Sequence, residues 1–520
     1  MPQRDEPTPR RLDRGNLVEG TLVLAGLVLV ALLFIRSWDS PASGLSPSLD
    51  LSNPGSTEHW SGIYVKDQKI GYSVSRSAPG PNGGLLLQDR TQLRLILLGQ
   101  PNDVTVASDV TLGAEQRIVS LLAQVRTEIS GVPVSLRVEG TPRGRGIELK
   151  VIQAGAELTT FSLDEMPATP TDIYRKVIEQ SPALGETVSI PWFSPLGLGQ
   201  SVAKVTVEGR DIKAFPDGST TLAWTLRLEH SGQVIEAVIA EDGTRMSERE
   251  VEGGLGMELR LESAEYAVER GWAGDAADTV DLIALSSIPL EGSMPGGGRS
   301  LREMVIQLEA PEHTDRLLAA RHGERWNPET RELQLQVPDP ELSPSYGLPN
   351  QERQLRPWLR STTFSPTDHP DIKRTAGLIV GDNLDATIAS RKITKWLYSN
   401  IEKVPVASVP SATEVLRSMR GDCNEHTTLF TALARSLGIP TRPVAGIVYS
   451  ETLFEEGAFY YHAWPEVWLG DRWVPVDPTF GQFPADATHI GLIEGDLDKQ
   501  MEIMGVIGRL KLKLISTGSP

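Results

Sequence analysis

The chain holds a single cysteine, Cys423, in 520 residues, so no internal disulfide framework braces it and stability is left to packing. The same scarcity leaves the thiol free, with no intramolecular partner for oxidation. Positive charge is in deficit too: 68 Asp and Glu against 50 Lys and Arg give a formal net charge of −18. Neutralising phosphates needs a basic face, so this balance argues against a nucleic-acid partner. No basic residue lies between Arg36 and Lys66. Sustained hydrophobic periodicity is missing from Ser37 to Thr57, which excludes a regular element there and reads as a flexible linker over 37–57.

At the front of the chain stands an apolar run, Gly20 to Ile35, broken only by Thr21 and preceded by Arg4, Arg10, Arg11 and Arg14. Its length is close to that of a membrane span. The positive-inside rule then expects a cytoplasmic tail over 1–15, a transmembrane signal-anchor over 16–36 and the bulk of the chain outside the cytoplasm. A cleavable signal peptide is the rival reading, although Phe34-Ile35-Arg36-Ser37-Trp38 offers no small-x-small site.

Hydrophobic content of 39% is adequate for burial, and the length calls for several folded units. Alternating segments such as Gly62-Ile63-Tyr64-Val65, Leu93 to Leu98, Val132 to Val138 and Thr221 to Leu228 predict a β-rich region over 58–285. Gly131 to Glu139 echoes Gly254 to Glu262, a sign either of two related modules or of strands that share a wet Arg/Glu face. One short helix around Asp172 to Gln180 separates the halves. A small β unit is expected over 299–337, from Met304 to Leu308 and Leu333 to Val337. Seven prolines from Pro338 to Pro370 remove backbone donors, so 338–370 reads as a linker or an extended wrap. The expected fold class is therefore multidomain: an N-terminal transmembrane helix, β-rich middle modules and a C-terminal α+β domain over 371–500, with 501–520 as an extension.

That last domain carries the chemistry. Ala386 to Ile401 sets Ile388, Ile393, Trp396, Leu397 and Ile401 roughly on one helical face. Gly421-Asp422-Cys423-Asn424-Glu425-His426 then places the thiol where a turn gives way to a helix, whose Leu429, Phe430, Leu433 and Leu437 recur at three- and four-residue steps before Gly438 ends it. Unpaired N–H groups and the positive end of the dipole at a helix start favour a thiolate. Strands are expected at Pro443 to Tyr449, Tyr460 to Leu469 and Arg472 to Val476.

A cysteine nucleophile needs a base within reach and a third group that orients the base. His462, in Tyr461-His462-Ala463-Trp464, and Asp477, in Trp473-Val474-Pro475-Val476-Asp477-Pro478, are the candidates. If their strands pair about the turn at Gly470-Asp471, the two lie opposite or diagonal to each other.

These motifs, with Leu433-Ala434-Arg435-Ser436-Leu437-Gly438-Ile439-Pro440-Thr441-Arg442, together resemble the bacterial transglutaminase-like superfamily over about Asp371 to Ile490. The resemblance implies a papain-like α+β fold, Cys423 as nucleophile, His462 as general base and acid, and Asp477 as the orienting carboxylate. It also implies acyl transfer through a thioester, with a protein or peptide amide as substrate and water or a primary amine as acceptor. Which acceptor is used stays open, as do a cysteine protease or amidase acting on envelope peptides and a catalytically silent binding module. Membership is not expected to require a metal or an organic cofactor. Cys423 and His426 do make a C-x-x-H spacing, but zinc would need further ligands, His462 and His489 being the ones available. His426 is more simply a lining or locally bonded residue of the cleft, and Trp464 a candidate wall. Trp396 is either the second oxyanion donor or a core tryptophan. The Ser450 to Ala458 loop, with Glu451, Glu455 and Glu456, either rims a groove for amine-bearing partners or is a solvated hairpin loop.

Overall fold

The computed structural model describes residues 49–518 except 66, 98–99, 130–131, 154–155, 169–172, 195–198, 231–232, 253–255, 270–286, 311, 342–344, 363, 404–410, 452–456, 496–505 and 507–509. The expected anchor over 16–36 and most of the Ser450 to Ala458 loop lie outside these residues. Among the described residues no helix is long and apolar enough to cross a membrane.

Alternation makes the strands of the first half. In Thr220–His230, Leu226 and Leu228 are buried while Arg227 between them is not, as a pleat with one packed face requires. Fourteen such strands between Thr57 and Glu262 form one continuous antiparallel sheet. Eight of them, from Thr57 to Leu163, pair in chain order, and six, from Thr187 to Glu262, do the same. The two arms join where Thr57–Val65 runs antiparallel to Met257–Glu262, with Trp60 opposite Glu262 and Val65 opposite Met257. Lys69 closes that seam from the next strand, its Nζ 2.6 Å from Glu262 Oε2 and 2.8 Å from the Tyr266 carbonyl. Each arm has its own core. Val110, Leu136, Val138, Ile147 and Leu149 fill one. In the other, Tyr174 and Val177 of the helix Ile173–Ile178 pack against Val205, Trp224 and Leu226.

The expected fold class is corrected by this architecture. The described residues are strand-rich with few helices, none of them apolar and long enough to cross a membrane, and one large sheet stands where separable β modules were expected. A period of two identifies a strand but not the edge it meets, and here the first strand of the region pairs with its last.

The small unit expected over 299–337 is not separate either. Glu303–Glu309 and Glu332–Gln336 belong to a second, nine-stranded sheet, reached through Lys511–Gly518 and Ile288–Glu291. The presumed C-terminal extension thus supplies an interior strand. The rest of this sheet is the two-residue strand Trp326–Asn327 beside Glu332–Gln336, and β1 (Thr441–Ser450), β2 (Ala458–Leu469), β3 (Arg472–Pro475) and β4 (Ile490–Glu494). Four helices lie beside it: α1 (Pro370–Val380), α2 (Ala386–Asn400), α3 (Ala412–Ser418) and α4 (Cys423–Ser436). Leu429, Phe430 and Leu433 of α4 share a core with Ile372 of α1, Ile393 and Leu397 of α2 and Val415 of α3. The proline-rich passage wraps this body, with Tyr346 Oη donating to the Trp468 carbonyl at 3.0 Å and Trp358 Nε1 to Glu494 Oε1 at 2.8 Å.

Candidate active site

Local chemistry sets the start of α4. Asp422 is its N-cap, accepting from the Asn424 N–H at 2.9 Å, and Glu425 reaches back to the Asp422 N–H, also at 2.9 Å. This reciprocal capping box satisfies two orphan donors and places Cys423 on the first helical residue. The thiol is fully buried, in one cluster with Ala445, Tyr461 and Ala463 of the sheet.

Burial, then the negative charges of Asp422, Glu425 and Asp477, push the thiol well above its ordinary range, against a lowering hydrogen bond from the Ala463 backbone. Burial thus works against the thiolate that a helix start alone favours. Burial and Glu425 likewise raise Asp422 well above the usual carboxylate range.

On the facing strand, β2 pairs with β1 so that His462 lies opposite Gly446. An added Cβ at Gly446 would stand 2.0 Å from the Ile490 carbonyl, so only glycine lets β4 approach here. The β2–β3 hairpin runs in the register Leu469 to Arg472 through Glu466 to Pro475. Asp477 follows two residues later and reaches diagonally back, its Oδ2 2.8 Å from His462 Nε2. The Thr479 and Phe480 N–H groups hold its Oδ1 at 2.7 and 3.0 Å. Both side chains are fully buried.

Because Nε2 donates to a carboxylate, neutral His462 carries its lone pair on Nδ1. That Nδ1 is buried and has no hydrogen-bond partner among the described residues. Burial, only partly offset by Asp477, lowers the His462 pKa. Although burial opposes it, pairing with His462 and His489 holds Asp477 well below the carboxylate range. The imidazole is clamped flat, stacked on Phe480 at 4.7 Å between ring centroids and 6.0 Å from Trp464. The Arg299 guanidinium sits 4.0 Å over Phe480.

One residue of this ring was read from the sequence only as an available zinc ligand. His489, just before β4, donates from Nε2 to Asp477 Oδ2 at 3.0 Å, and its Nδ1 lies 3.3 Å from Asp486 Oδ1. Burial disfavours its charge, but Asp486 and Asp477 outweigh that and hold its pKa up to about 9. The i, i+3 spacing of Asp486 and His489 was the available signal, and it is invisible until Asp477 is known to lie beside it.

The other sequence-named residues fall apart from this ring or around it. His426 is buried, its Nδ1 2.7 Å from the Asp422 carbonyl, and burial lowers its pKa to about 4. Trp464 is buried against both histidines, edge-on to His489 at 5.0 Å. Trp396 is half-buried and packs with the helical core, not with the His462 ring.

The metal-like grouping is His462, Asp477 and His489, whose ligand atoms all lie within 4.8 Å of one another; Cys423 and His426 are not in it. Both Nε2 atoms lie at hydrogen-bond distance from Asp477 Oδ2, the arrangement of two imidazole N–H donors on one carboxylate oxygen. The donor set fits a hydrogen-bonded relay, and no step below passes through a metal.

Residues 373–478 match the model of the transglutaminase-like superfamily. Three solved chains match, and two of them resemble this one only weakly. One is a "putative cysteine protease" from Cytophaga hutchinsonii, 16% identical, covering 45% of this chain and 83% of its own, with a TM-score of 0.28. The other is a "putative protease" from Parabacteroides distasonis, 11% identical, covering 73% of this chain and 70% of its own, with a TM-score of 0.17. The comparison with curated proteins finds no match.

Proposed function

We propose that the domain over 371–500 is a thiol enzyme that transfers or hydrolyses an acyl group at an amide, using Cys423, His462 and Asp477. The observation that carries this reading is the buried His462 Nδ1: an unpartnered lone pair on an imidazole whose other nitrogen is fixed to Asp477. A buried acceptor without a partner costs stability, which is reasonable where a reacting proton is to be received.

His462 Nδ1 takes the Sγ proton as Sγ bonds to the carbonyl carbon and the carbonyl oxygen becomes an oxyanion. Collapse breaks the C–N bond, the proton passes from Nδ1 to the leaving amine, and a thioester remains on Cys423. Water or a primary amine attacks that thioester, again giving its proton to Nδ1. Collapse then expels the sulfur, which recovers the proton. Asp477 fixes the tautomer and stabilises the imidazolium that forms twice per cycle. With a raised thiol and a lowered imidazole, the resting pair is neutral, so proton transfer accompanies attack.

The substrate class in this reading is a protein or peptide amide. Purified protein mixed with glutamine-bearing peptides and a labelled primary amine separates the outcomes. Incorporation of label marks transfer, and cleavage marks a protease or amidase. Either product is expected to vanish in Cys423→Ala; activity that survives this change contradicts the reading. The full burial of Cys423 favours one rival, a silent binding module, and that rival predicts neither product.

A further inference from the structure

Asp477 Oδ2 accepts two hydrogen bonds, from His462 Nε2 and His489 Nε2, while Oδ1 accepts two backbone N–H groups. All four lone-pair directions of one carboxylate are thereby filled, and it has no freedom to rotate. Beyond His489 the chain of contacts continues. Asp486 Oδ1 faces His489 Nδ1, and Asp486 is itself held by the Thr488 N–H at 2.9 Å and Gln482 Nε2 at 2.7 Å. His489 and Asp486 also line a cavity of about 80 Å³ with Arg321, Arg442 and Glu466.

We infer that His489 is a positioning residue of this site: its Nε2–H fixes the carboxylate on which His462 turns, and Asp486 in turn fixes His489. The inference rests on the thiol chemistry proposed above. Asp477 closes a turn after β3, its backbone bridged to Gln482 and its Oδ1 held by the Thr479 and Phe480 N–H groups, which leaves Oδ2, the oxygen that meets His462, to be fixed by His489. Without that bond His462 would swing with its partner, and small misplacement of a base costs rate steeply. Buried aspartates that orient a histidine also need their remaining lone pairs satisfied.

The titratable groups around His489 are Asp486 on its own loop, Asp477 and His462 in the hydrogen-bonded group, and Arg321, His322, Arg325, Arg442 and Glu466 lining the cavity. Arg299 adds a cation 3.9 Å from Asp486 Oδ2. The positive charge of His489 opposes charging of His462. The residue therefore has two separable effects, a hydrogen bond and a charge. Glutamine keeps an N–H near the Nε2 position without the charge, whereas asparagine is too short to reach Asp477.

The test is the rate of Cys423 alkylation by iodoacetamide in the folded full chain, followed by intact mass against pH for wild type, His462→Ala, His489→Gln and His489→Asn. His489→Gln is expected to stay within about three-fold of wild type at pH 8, with its acid limb moved to higher pH. His489→Asn is expected to fall at least ten-fold, with a melting temperature close to that of His489→Gln. Equal slowing of both variants in step with lost stability, or wild-type rates in a folded His489→Asn, overturns the positioning role. Should His489→Asn fail to fold, Asp486→Asn serves: it keeps an acceptor but removes the charge, and a pH profile identical to wild type overturns the role. If His462→Ala reacts as fast as wild type, the thiol-enzyme reading itself fails, a result distinct from a His489-specific failure.

Discussion

Both halves of the molecule are built from strands and both bury polar side chains, yet they treat them differently. In the fourteen-stranded sheet, buried charge is neutralised between adjacent strands. Arg90 donates to Asp109 on the next strand and to the Ser108 carbonyl at 3.1 Å, and Ser75 Oγ donates to Asp89 across a strand pair at 2.5 Å. In the second body, buried polar groups from a strand, a turn and a loop join in one hydrogen-bonded group of His462, Asp477, His489 and Asp486, and Cys423 at a helix start packs against Tyr461 and Ala463, which flank His462. Cys423, His462, Asp477, Asp486 and His489 are each at most about 6% exposed. Both halves hold buried polar atoms with no partner among the described residues, Trp224 Nε1 and Gln233 Nε2 in the first and His462 Nδ1 in the second, but the last belongs to an imidazole whose other nitrogen is fixed to a buried carboxylate. The difference separates a scaffold from a site without reference to any ligand.

Asp477→Asn breaks the comparison at its strongest point. The isosteric amide keeps the packing but can present an N–H to one histidine, and turnover is expected to fall by roughly 10³-fold or more while the chain stays folded. Steady-state rates in the peptide and amine assay check it. The matching change in the other half is Asp109→Ala, which removes a carboxylate from Arg90. It is expected to cost about 1–3 kcal/mol of stability and leave turnover within about two-fold. A large loss of turnover in a folded Asp109→Ala would mean the scaffold takes part in the chemistry.

Histidine protonation sharpens the same contrast. His489 is charged up to about 9 in the fold but only to about 6.5 when unfolded. Its contribution is thus complete below pH 6.5 and is lost as pH rises through about 9, on the order of 3 kcal/mol in total. In the first half, burial pushes His230 down to about 4, so its contribution is complete above pH 6.5 and is lost as pH falls toward about 4. Hydrogen exchange read region by region should show the β1–β4 body loosening between pH 6.5 and 9 while the fourteen-stranded sheet holds. Parallel loosening of both regions would contradict the assignment of that charge to His489.

How much of this was legible in the sequence follows from which contacts are local. The strands, the helix Ile173–Ile178, α2 and the start of α4 answer to periodicity and capping within a dozen residues, and they were expected close to where they lie. The pairing of His462 with Asp477 was legible because each sits inside a recognisable motif and the two flank one hairpin. The seam between Thr57–Val65 and Met257–Glu262 was not, because nothing local distinguishes one alternating edge from another. The joining of Glu303–Glu309 to Lys511–Gly518 escaped notice for the same reason. His489 was missed as a partner of Asp477 because that contact depends on how β4 lies beside β1. The burial that opposes a Cys423 thiolate was not legible, because the helix start is a local feature while burial is set by the whole fold.

The central claim is that His462 serves Cys423 as a base within a neutral resting pair. As Cys423 is the sole cysteine, a single added mass reports on it alone. The decisive measurement is the alkylation rate of Cys423 by iodoacetamide in folded protein from pH 5 to 9, in wild type and His462→Ala. The account predicts a wild-type rate at pH 7 at least ten-fold above that of His462→Ala, persisting below the ordinary histidine pKa of about 6.5. Equal rates in the two proteins, or labelling only after unfolding, would contradict it.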